Sequence, residues 1–83
     1  MNVGVIVPAY NEAHTIAQVL RKLCQLQCGI VEILVVNDGS TDLTADCVAA
    51  EATADSRIRL INLQKNSGKT AAIARGFAEA TAD

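Results

Sequence analysis

Two short polar segments hold the side chains of this chain best suited to binding a ligand. Residues 7–12 read Val-Pro-Ala-Tyr-Asn-Glu and residues 35–42 read Val-Val-Asn-Asp-Gly-Ser-Thr-Asp, and each segment follows a short apolar run. The first supplies Tyr10 and Glu12, and the second supplies Asp38. An aromatic ring packs flat against a base or ribose, and a carboxylate accepts hydrogen bonds from N–H and O–H groups. The three side chains therefore predict a site for a nucleotide base and its ribose.

Each of these side chains also has a structural interpretation. Asp38 could bond to nearby backbone N–H groups in a turn. Gly39 and Ser40 already supply turn chemistry, however, which favours a binding role for Asp38. Tyr10 could pack against the helix that follows it. Glu12 could stabilise the N-terminus of that helix through the helix dipole, and this role is compatible with ligand binding.

The apolar residues around the two segments alternate between strand-like and helix-like spacing. Runs at residues 3–7 and 33–36 predict two buried strands, and Ile58, Leu60 and Ile61 mark a third. Apolar residues three and four apart predict three helices, over residues 15–26, from 41 or 42 to about 53, and over about 69–80.

Particular residues are expected to end these elements. Pro8 should end the first strand, because proline cannot donate to a strand ladder. Gly29 is the expected stop of the first helix, and residues 37–40 are expected to form a turn. The apolar face of the first helix is predicted to contain Ile16, Val19, Leu20, Leu23 and Leu26, and that of the third helix Ala72, Ile73, Phe77 and Ala80.

The order β-α-β-α-β-α predicts a three-layer α/β fold built on a parallel sheet with right-handed crossovers. The simplest strand order is 3-2-1, with the first two helices on one face and the third on the other. Both polar segments then lie at the carboxyl ends of neighbouring strands, where open α/β sheets bind ligands. A fourth strand, beside the first, is expected beyond Asp83. Without it the first strand is an exposed edge, so we expect self-association through that edge.

Composition narrows the choice of partner and location. Eighty-three residues make one small domain, and a net charge of −2 without a basic stripe argues against a nucleic-acid partner. The longest apolar runs are too short to span a bilayer, and no leader-like pattern opens the chain, so the expected location is the cytoplasm. Cys24, Cys28 and Cys47 are interpreted as reduced thiols that act as small apolar residues.

With these elements in place, the chain resembles the amino-terminal part of a family 2 glycosyltransferase with the GT-A fold. The resemblance rests on residues 7–12, on Val-Asn-Asp-Gly-Ser-Thr-Asp at 36–42, and on Asn-Ser-Gly-Lys-Thr-Ala-Ala at 66–72 followed by Gly76. It runs along the whole chain, so residues 1–83 are interpreted as the N-terminal portion of a nucleotide-sugar-binding domain. Within the family, the segment is most similar to dolichyl- and polyprenyl-phosphate glycosyltransferases.

The resemblance implies an inverting, hexosyltransferase-type enzyme that uses a UDP- or GDP-sugar. It also implies Mg²⁺ or Mn²⁺ bound by an Asp-X-Asp motif, and a catalytic base, both expected beyond Asp83. No catalytic residue or metal ligand is therefore assigned within residues 1–83, and this segment alone is expected to be inactive. The acceptor is left open between a lipid phosphate and a cell-envelope glycan. A longer parent protein could act at the cytoplasmic face of a membrane.

The resemblance also suggests roles for individual residues. Asp38 resembles the family aspartate that accepts a hydrogen bond from the base, and Glu12 the glutamate that contacts the ribose. Pro8 and Ala9 are expected to shape the first loop and to offer backbone groups to the nucleotide. Gly39, Tyr10 and Lys69 complete the predicted set.

Lys69 is assigned on physical grounds. A cation at the start of the third helix could face a diphosphate, because helix N-termini attract anions; a solvated lysine is the alternative. Asn11 is interpreted as structural, Asp42 as an N-cap, and His14 and Arg75 as surface residues.

Three other functions are weighed against this interpretation. Ser67-Gly68-Lys69-Thr70 is similar to the end of a phosphate-binding P-loop, but that motif needs a glycine where Leu63 stands. The chain also lacks Gly-x-Gly-x-x-Gly, the fingerprint of a dinucleotide-binding Rossmann domain. A non-catalytic nucleotide-binding or nucleotidyltransferase-like module would use the same sheet and similar loops. A remnant that only packs with a partner would tolerate loss of Asp38 except in stability.

Overall fold

The computed structural model describes residues 3–26, 29–63 and 68–79. Their elements are β1 (Val3–Ala9), α1 (Ile16–Gln25), β2 (Ile30–Asp38), α2 (Thr44–Ala54), β3 (Ile58–Leu63) and α3 (Lys69–Glu79). The strands form a parallel sheet in the order β1-β2-β3. The predicted α/β alternation and the 3-2-1 strand order are thus confirmed. Cys28, residues 66 and 67, Ala80, and the side chains of Lys69 and Phe77 lie outside the part described.

The sheet has two buried faces because β2 runs through its middle. Ile33 and Val35 are buried on the face that also holds Ile16, Leu20 and Val48, so α1 and α2 cover that side. Side chains alternate along a strand, which places Leu34 and Val36 on the opposite face, and these are also fully buried. A strand buried on both sides explains the continuous apolar run of β2.

The second face is covered by α3, which lies very close to β1. A Cβ atom on Gly76 would lie 2.5 Å from Cγ2 of Ile6. Ile6 pairs with Leu34 in the strand register, so α3 lies on the face opposite α1 and α2. The three-layer arrangement expected from the sequence is confirmed, and Gly76 permits the close approach.

Two predicted strand ends are wrong. Pro8 lies within β1, opposite Val36, because β1 is an edge strand of the described sheet and a proline nitrogen can face an open edge. The predicted turn at residues 37–40 starts late, since Asn37 and Asp38 are the last residues of β2 and pair with Asn62 and Leu63.

The apolar face of α1 is narrower than predicted. Val19 and Leu26 are 40% and 54% exposed. Leu26 lies beyond the last residue of α1, in an extended conformation. On another part of the helix surface, Arg21 pairs with Glu51 of α2 at 2.9 Å. The helix ends at Gln25, so Gly29, with a φ of +78°, belongs to the connection before β2 rather than to the helix stop. Ile73 of α3 is likewise 36% exposed.

One arginine fastens the edge of the sheet where the strands begin. Arg57 donates from Nη1 to the Ile30 carbonyl at 3.0 Å and from Nη2 to the Cys24 carbonyl at 3.1 Å. It also pairs with Asp55 at 2.7 Å. The Arg57 guanidinium, followed by the Arg57 backbone N–H, holds the pKa of the Asp55 carboxyl well below its ordinary value. A cavity of about 230 Å³ lies beside this group, at the end of the domain away from the polar loops.

Acid is expected to weaken the interaction between Arg57 and Asp55. A carboxyl whose pKa is lowered by folding stabilises the fold above its unfolded pKa, about 4, and the contribution is lost as the pH falls below that value. The urea midpoint should therefore fall on acidification below about pH 4. Asp55→Asn should be less stable than the unaltered chain near neutrality and should show a shallower acid decline. An equally steep decline in this variant would contradict the assignment to Asp55.

The open edge of β1 carries few backbone donors. The Val3 N–H bonds to the Gly29 carbonyl just before β2, at 3.0 Å. Because successive residues face opposite sides of a strand, the N–H groups of Gly4 and Ile6 point to the open edge, and Pro8 has none. We expect concentration-dependent self-association by light scattering, reduced in Gly4→Pro. A stable monomer at high concentration would contradict edge pairing.

Among the described helices, none is long and apolar enough to cross a membrane.

Candidate functional site

Asp38 lies at the centre of the edge where the strands end. It is the last residue of β2, between β1 and β3, and is 4% exposed. Its Oδ2 accepts a hydrogen bond from the Gly68 N–H at 2.9 Å. A buried carboxylate needs such partners. This bond joins the end of β2 to the start of α3.

A second polar pair supports the strand end next to Asp38. Asn37 is 5% exposed and donates from Nδ2 to Oδ1 of Asn62 at 2.9 Å. The chain then turns sharply, with the Gly39 N–H bonded to the Asn37 carbonyl at 3.0 Å. Gly39 has a φ of +74°, a conformation that glycine adopts without strain. Asn37 thus fixes where the second polar loop leaves the sheet.

The first loop presents an accessible ring beside this strand end. Ala9 is buried at the end of β1, whereas Tyr10 is 44% exposed. Pro8 is half-buried and, by its position in the strand, shapes the approach to the loop. The exposed Tyr10 ring leaves room for the predicted contact with a base or ribose.

Glu12 combines a local role with partial exposure. Its carbonyl accepts hydrogen bonds from the N–H groups of Thr15 and Ile16 at 3.0 and 2.9 Å, so it begins the first turn leading into α1. Its Oε1 lies 3.5 Å from the Tyr10 nitrogen, a long contact. The predicted dipole role of the Glu12 carboxylate is wrong as to position, because α1 begins at Ile16 and its first turn holds no acidic residue. The ribose contact of Glu12 stays a prediction.

The two polar loops are joined by a set of hydrogen bonds that we name the loop clasp. Three consecutive backbone N–H groups of the first loop donate to side-chain oxygens of the second loop and of Thr44, the first residue of α2. Asn11 donates to Ser40 Oγ at 2.9 Å, Glu12 to Thr44 Oγ1 at 2.9 Å, and Ala13 to Asp42 Oδ2 at 3.3 Å. In return, the Thr41 N–H donates to Asn11 Oδ1 at 2.8 Å.

Asp42 stabilises both the clasp and the start of α2. Its Oδ1 accepts from the Thr44 N–H at 2.9 Å and from the Thr44 hydroxyl. The hydroxyl of Thr44, with the backbone N–H groups of Thr44 and Ala13, lowers the pKa of the Asp42 carboxyl. The prediction of Asp42 as the N-cap is wrong, because Leu43 occupies that position; Asp42, one residue earlier, bonds to the first N–H of the helix instead.

The start of α3 carries a negative group from β2. Lys69 is the first residue of α3, and Gly68 directly before it bonds to Asp38. The Asp38 carboxylate therefore lies at the positive end of the helix dipole. A diphosphate at this end would lie near that carboxylate and would need a compensating cation. The role of Lys69 stays a prediction.

The described residues of the polar loops agree with the structural prediction made for Asn11 but do not form a ligand set for a metal ion. Within residues 3–26, 29–63 and 68–79, no group of three His, Cys, Asp or Glu side chains is arranged to hold a metal ion. The sequence interpretation of Asn11 as structural agrees with its bonds. Sequence reasoning missed Ser40 and Thr44 as acceptors in the clasp, although hydroxyl side chains in a loop before a helix commonly bond to backbone groups.

Comparison with known proteins identifies a family for this arrangement. The sequence model described as Glycosyl transferase family 2 matches residues 4–83. Undecaprenyl-phosphate 4-deoxy-4-formamido-L-arabinose transferases from Salmonella choleraesuis and Salmonella newport are each 38% identical over 85 residues. The match covers 98% of this chain and 26% of each relative, so the chain spans about a quarter of their length.

A solved structure shares the fold. The mannosyltransferase PcManGT from Pyrobaculum calidifontis, in complex with GDP-Man and Mn²⁺, matches this chain with a TM-score of 0.86 at 30% identity. The match covers 95% of this chain and 24% of that protein. The Rossmann-like GT-A fold expected from the resemblance is confirmed by this similarity.

Proposed function

Because this chain belongs to glycosyl transferase family 2, we propose that it forms the nucleotide-binding part of a glycosyltransferase that uses a nucleotide-diphosphate-sugar. The observation that carries the proposal is the position of Asp38. It is a buried carboxylate at the carboxyl end of the central strand, beside the exposed Tyr10. Ligands of open α/β sheets bind at this edge.

The proposed binding mode assigns one task to each loop. Asp38 accepts a hydrogen bond from the base, since a carboxylate pairs with an imide N–H. Tyr10 lies against the base or the ribose, and Glu12 accepts from ribose hydroxyls. Pro8, Ala9 and Gly39 shape the walls and offer backbone groups. Lys69 would compensate the charge of the diphosphate near the start of α3.

The reaction itself needs groups from elsewhere in a larger protein. Positioning of the donor lowers the entropy barrier to transfer, and the residues described here contribute that part. The Mn²⁺ bound with GDP-Man in the structural neighbour supports a divalent metal, Mg²⁺ or Mn²⁺. The described residues do not form a ligand set for such an ion, so the proposed mechanism assigns it no catalytic step. When bound, the metal would neutralise charge on the leaving diphosphate.

The sugar and the acceptor are proposed by analogy. The relatives are named for transfer involving undecaprenyl phosphate, and the neighbour binds GDP-Man. We therefore propose a UDP- or GDP-linked sugar as donor and a polyprenyl phosphate as acceptor, used at the cytoplasmic face of a membrane. Residues 1–83 alone are expected to show no sugar transfer, and measurable transfer by them would contradict this division of labour.

A ligand titration tests the proposal. UDP, GDP and UDP-glucose are added separately to the ¹⁵N-labelled protein with Mg²⁺, and the amide signals are followed by NMR. Nucleotide binding should shift signals from residues 9–12, 37–40 and 66–70 and leave those of Asp55 and Arg57, at the opposite end of the sheet, unchanged. The nucleotide that shifts them at the lowest concentration identifies the base. A folded, monodisperse sample without any shift would contradict nucleotide binding by this part of the protein.

A further inference from the structure

The conformation of Asn11 is unusual among the described residues. Its φ is +51°, and no other non-glycine residue in the described ranges has a positive φ. Asparagine tolerates this left-handed region better than most residues. Asn11 directly follows Tyr10. Its own N–H is the first of the three consecutive N–H groups that donate to Ser40, Thr44 and Asp42.

The side chain of Asn11 completes the loop clasp from the other direction. Its Oδ1 accepts from the Thr41 N–H at 2.8 Å and from the Thr41 hydroxyl at 3.4 Å. Its own N–H donates to Ser40 Oγ at 2.9 Å. Asn11 is thus bonded through both its backbone and its side chain to two successive residues of the second loop.

The clasp lies between the groups assigned to the nucleotide. Tyr10 and Glu12 flank Asn11 on the first loop, and Asp38 and Gly39 directly precede Ser40 on the second. The strands themselves are paired only as far as Ala9 and Asn37. Beyond that point, the clasp bonds connect the tip of one loop to the other. A binding site is effective when its contact groups are held in place by such supporting bonds.

We propose that Asn11 is a positioning residue that sets the distance between the Tyr10 loop and the Asp38 loop without touching the nucleotide. The inference rests on the proposed nucleotide site. It assigns two requirements to residue 11, a left-handed backbone and a side-chain oxygen that accepts from Thr41. A variant that lacks either feature lets the loops move apart. Part of the binding free energy is then used to order the loops, which lowers the affinity.

Three variants separate these requirements. Asn11→Asp keeps an acceptor oxygen and a residue that tolerates the left-handed region. Asn11→Gly keeps the backbone conformation and removes the acceptor. Asn11→Ala removes the acceptor and strains the backbone. Nucleotide affinity and the rigidity of the two loops should be nearly unaltered in Asn11→Asp, lower in Asn11→Gly and lowest in Asn11→Ala.

Two measurements on the whole chain test the proposal. Amide hydrogen exchange without ligand should show faster exchange at Thr41 in Asn11→Gly, by about tenfold for one lost bond, and near-unaltered exchange in Asn11→Asp. The dissociation constant for the nucleotide that binds in the titration should rise about three- to tenfold in Asn11→Gly and recover in Asn11→Asp.

The outcomes distinguish this inference from the function on which it rests. If the unaltered chain binds no nucleotide, the proposed function fails and the positioning role fails with it, whatever the exchange data show. If the unaltered chain binds and Asn11→Gly binds equally well, the positioning role alone is overturned. Faster exchange throughout α1 and β2, rather than at the loops, would make Asn11 a general stability residue and would also overturn it.

Discussion

Replacing Gly76 by valine is expected to destabilise the domain by about 1–3 kcal/mol, the usual range for overpacking a filled interior. On an exposed helix, removing a glycine normally stabilises, by up to about 1 kcal/mol for alanine. The sign reverses here because a Cβ would lie 2.5 Å from Cγ2 of Ile6. That carbon is a branch of a strand residue, so relief requires α3 to move away from β1. Urea unfolding followed by circular dichroism measures the difference.

Two matched variants decide whether the close approach is the cause. Ala74→Val places the same side chain at an exposed position of α3 and should change the stability by only a few tenths of a kcal/mol. Ile6→Ala removes the opposing methyl group, so the double variant Ile6→Ala/Gly76→Ala should be more stable than the sum of its single effects predicts. Strict additivity would show that Gly76 and Ile6 do not oppose each other.

Replacing Asp38 by asparagine should weaken nucleotide binding about 10- to 100-fold while leaving the fold largely intact. The amide retains an oxygen that can accept from the Gly68 N–H, at 2.9 Å in the structure. It loses the negative charge, and a hydrogen bond to a charged group contributes about 1.5–3 kcal/mol. Calorimetric titration with the nucleotide identified by NMR measures the change in affinity.

Asp38→Ala separates the structural task of this residue from the proposed binding task. Alanine leaves the half-buried Gly68 N–H without this acceptor, which should lower the unfolding free energy by about 1 kcal/mol in addition to the loss of affinity. If Asp38→Asn binds as tightly as the unaltered chain and only Asp38→Ala is impaired, the carboxylate serves α3 and not a nucleotide.

The alternation of strand and helix was predictable because each element is long enough for its apolar period to show. The ends of the strands were not, since they depend on neighbours. Pro8 is acceptable in β1 only because of its edge position, and Asn37 belongs to β2 because it bonds with Asn62 across the sheet. The register is likewise invisible in sequence: it shifts between Val3 and Gly4, leaving Val31 without a partner in β1 and 44% exposed.

The positions of the candidate residues in the fold were predictable from the sequence, but their contacts were not. The spacing of Tyr10, Glu12 and Asp38 relative to two apolar runs brings them to one edge, which the structure reproduces. The bond from Gly68 to Asp38 and the reciprocal bonds of Asn11 join residues about thirty positions apart. Such pairs have no local period, so one sequence contains no signal for them.

The parallel pairing of all three described strands has a kinetic consequence. Each strand is joined to its neighbour through a whole helix, so the first hydrogen bonds between two strands close a long loop. The entropy cost of that closure comes before neighbouring contacts can stabilise the pair. The continuous apolar run of β2 would remain uncovered until both crossovers have formed. Chains of this kind fold slowly relative to helical domains of the same length. During that interval β2, rather than the finished edge of β1, is the segment most exposed to misassembly.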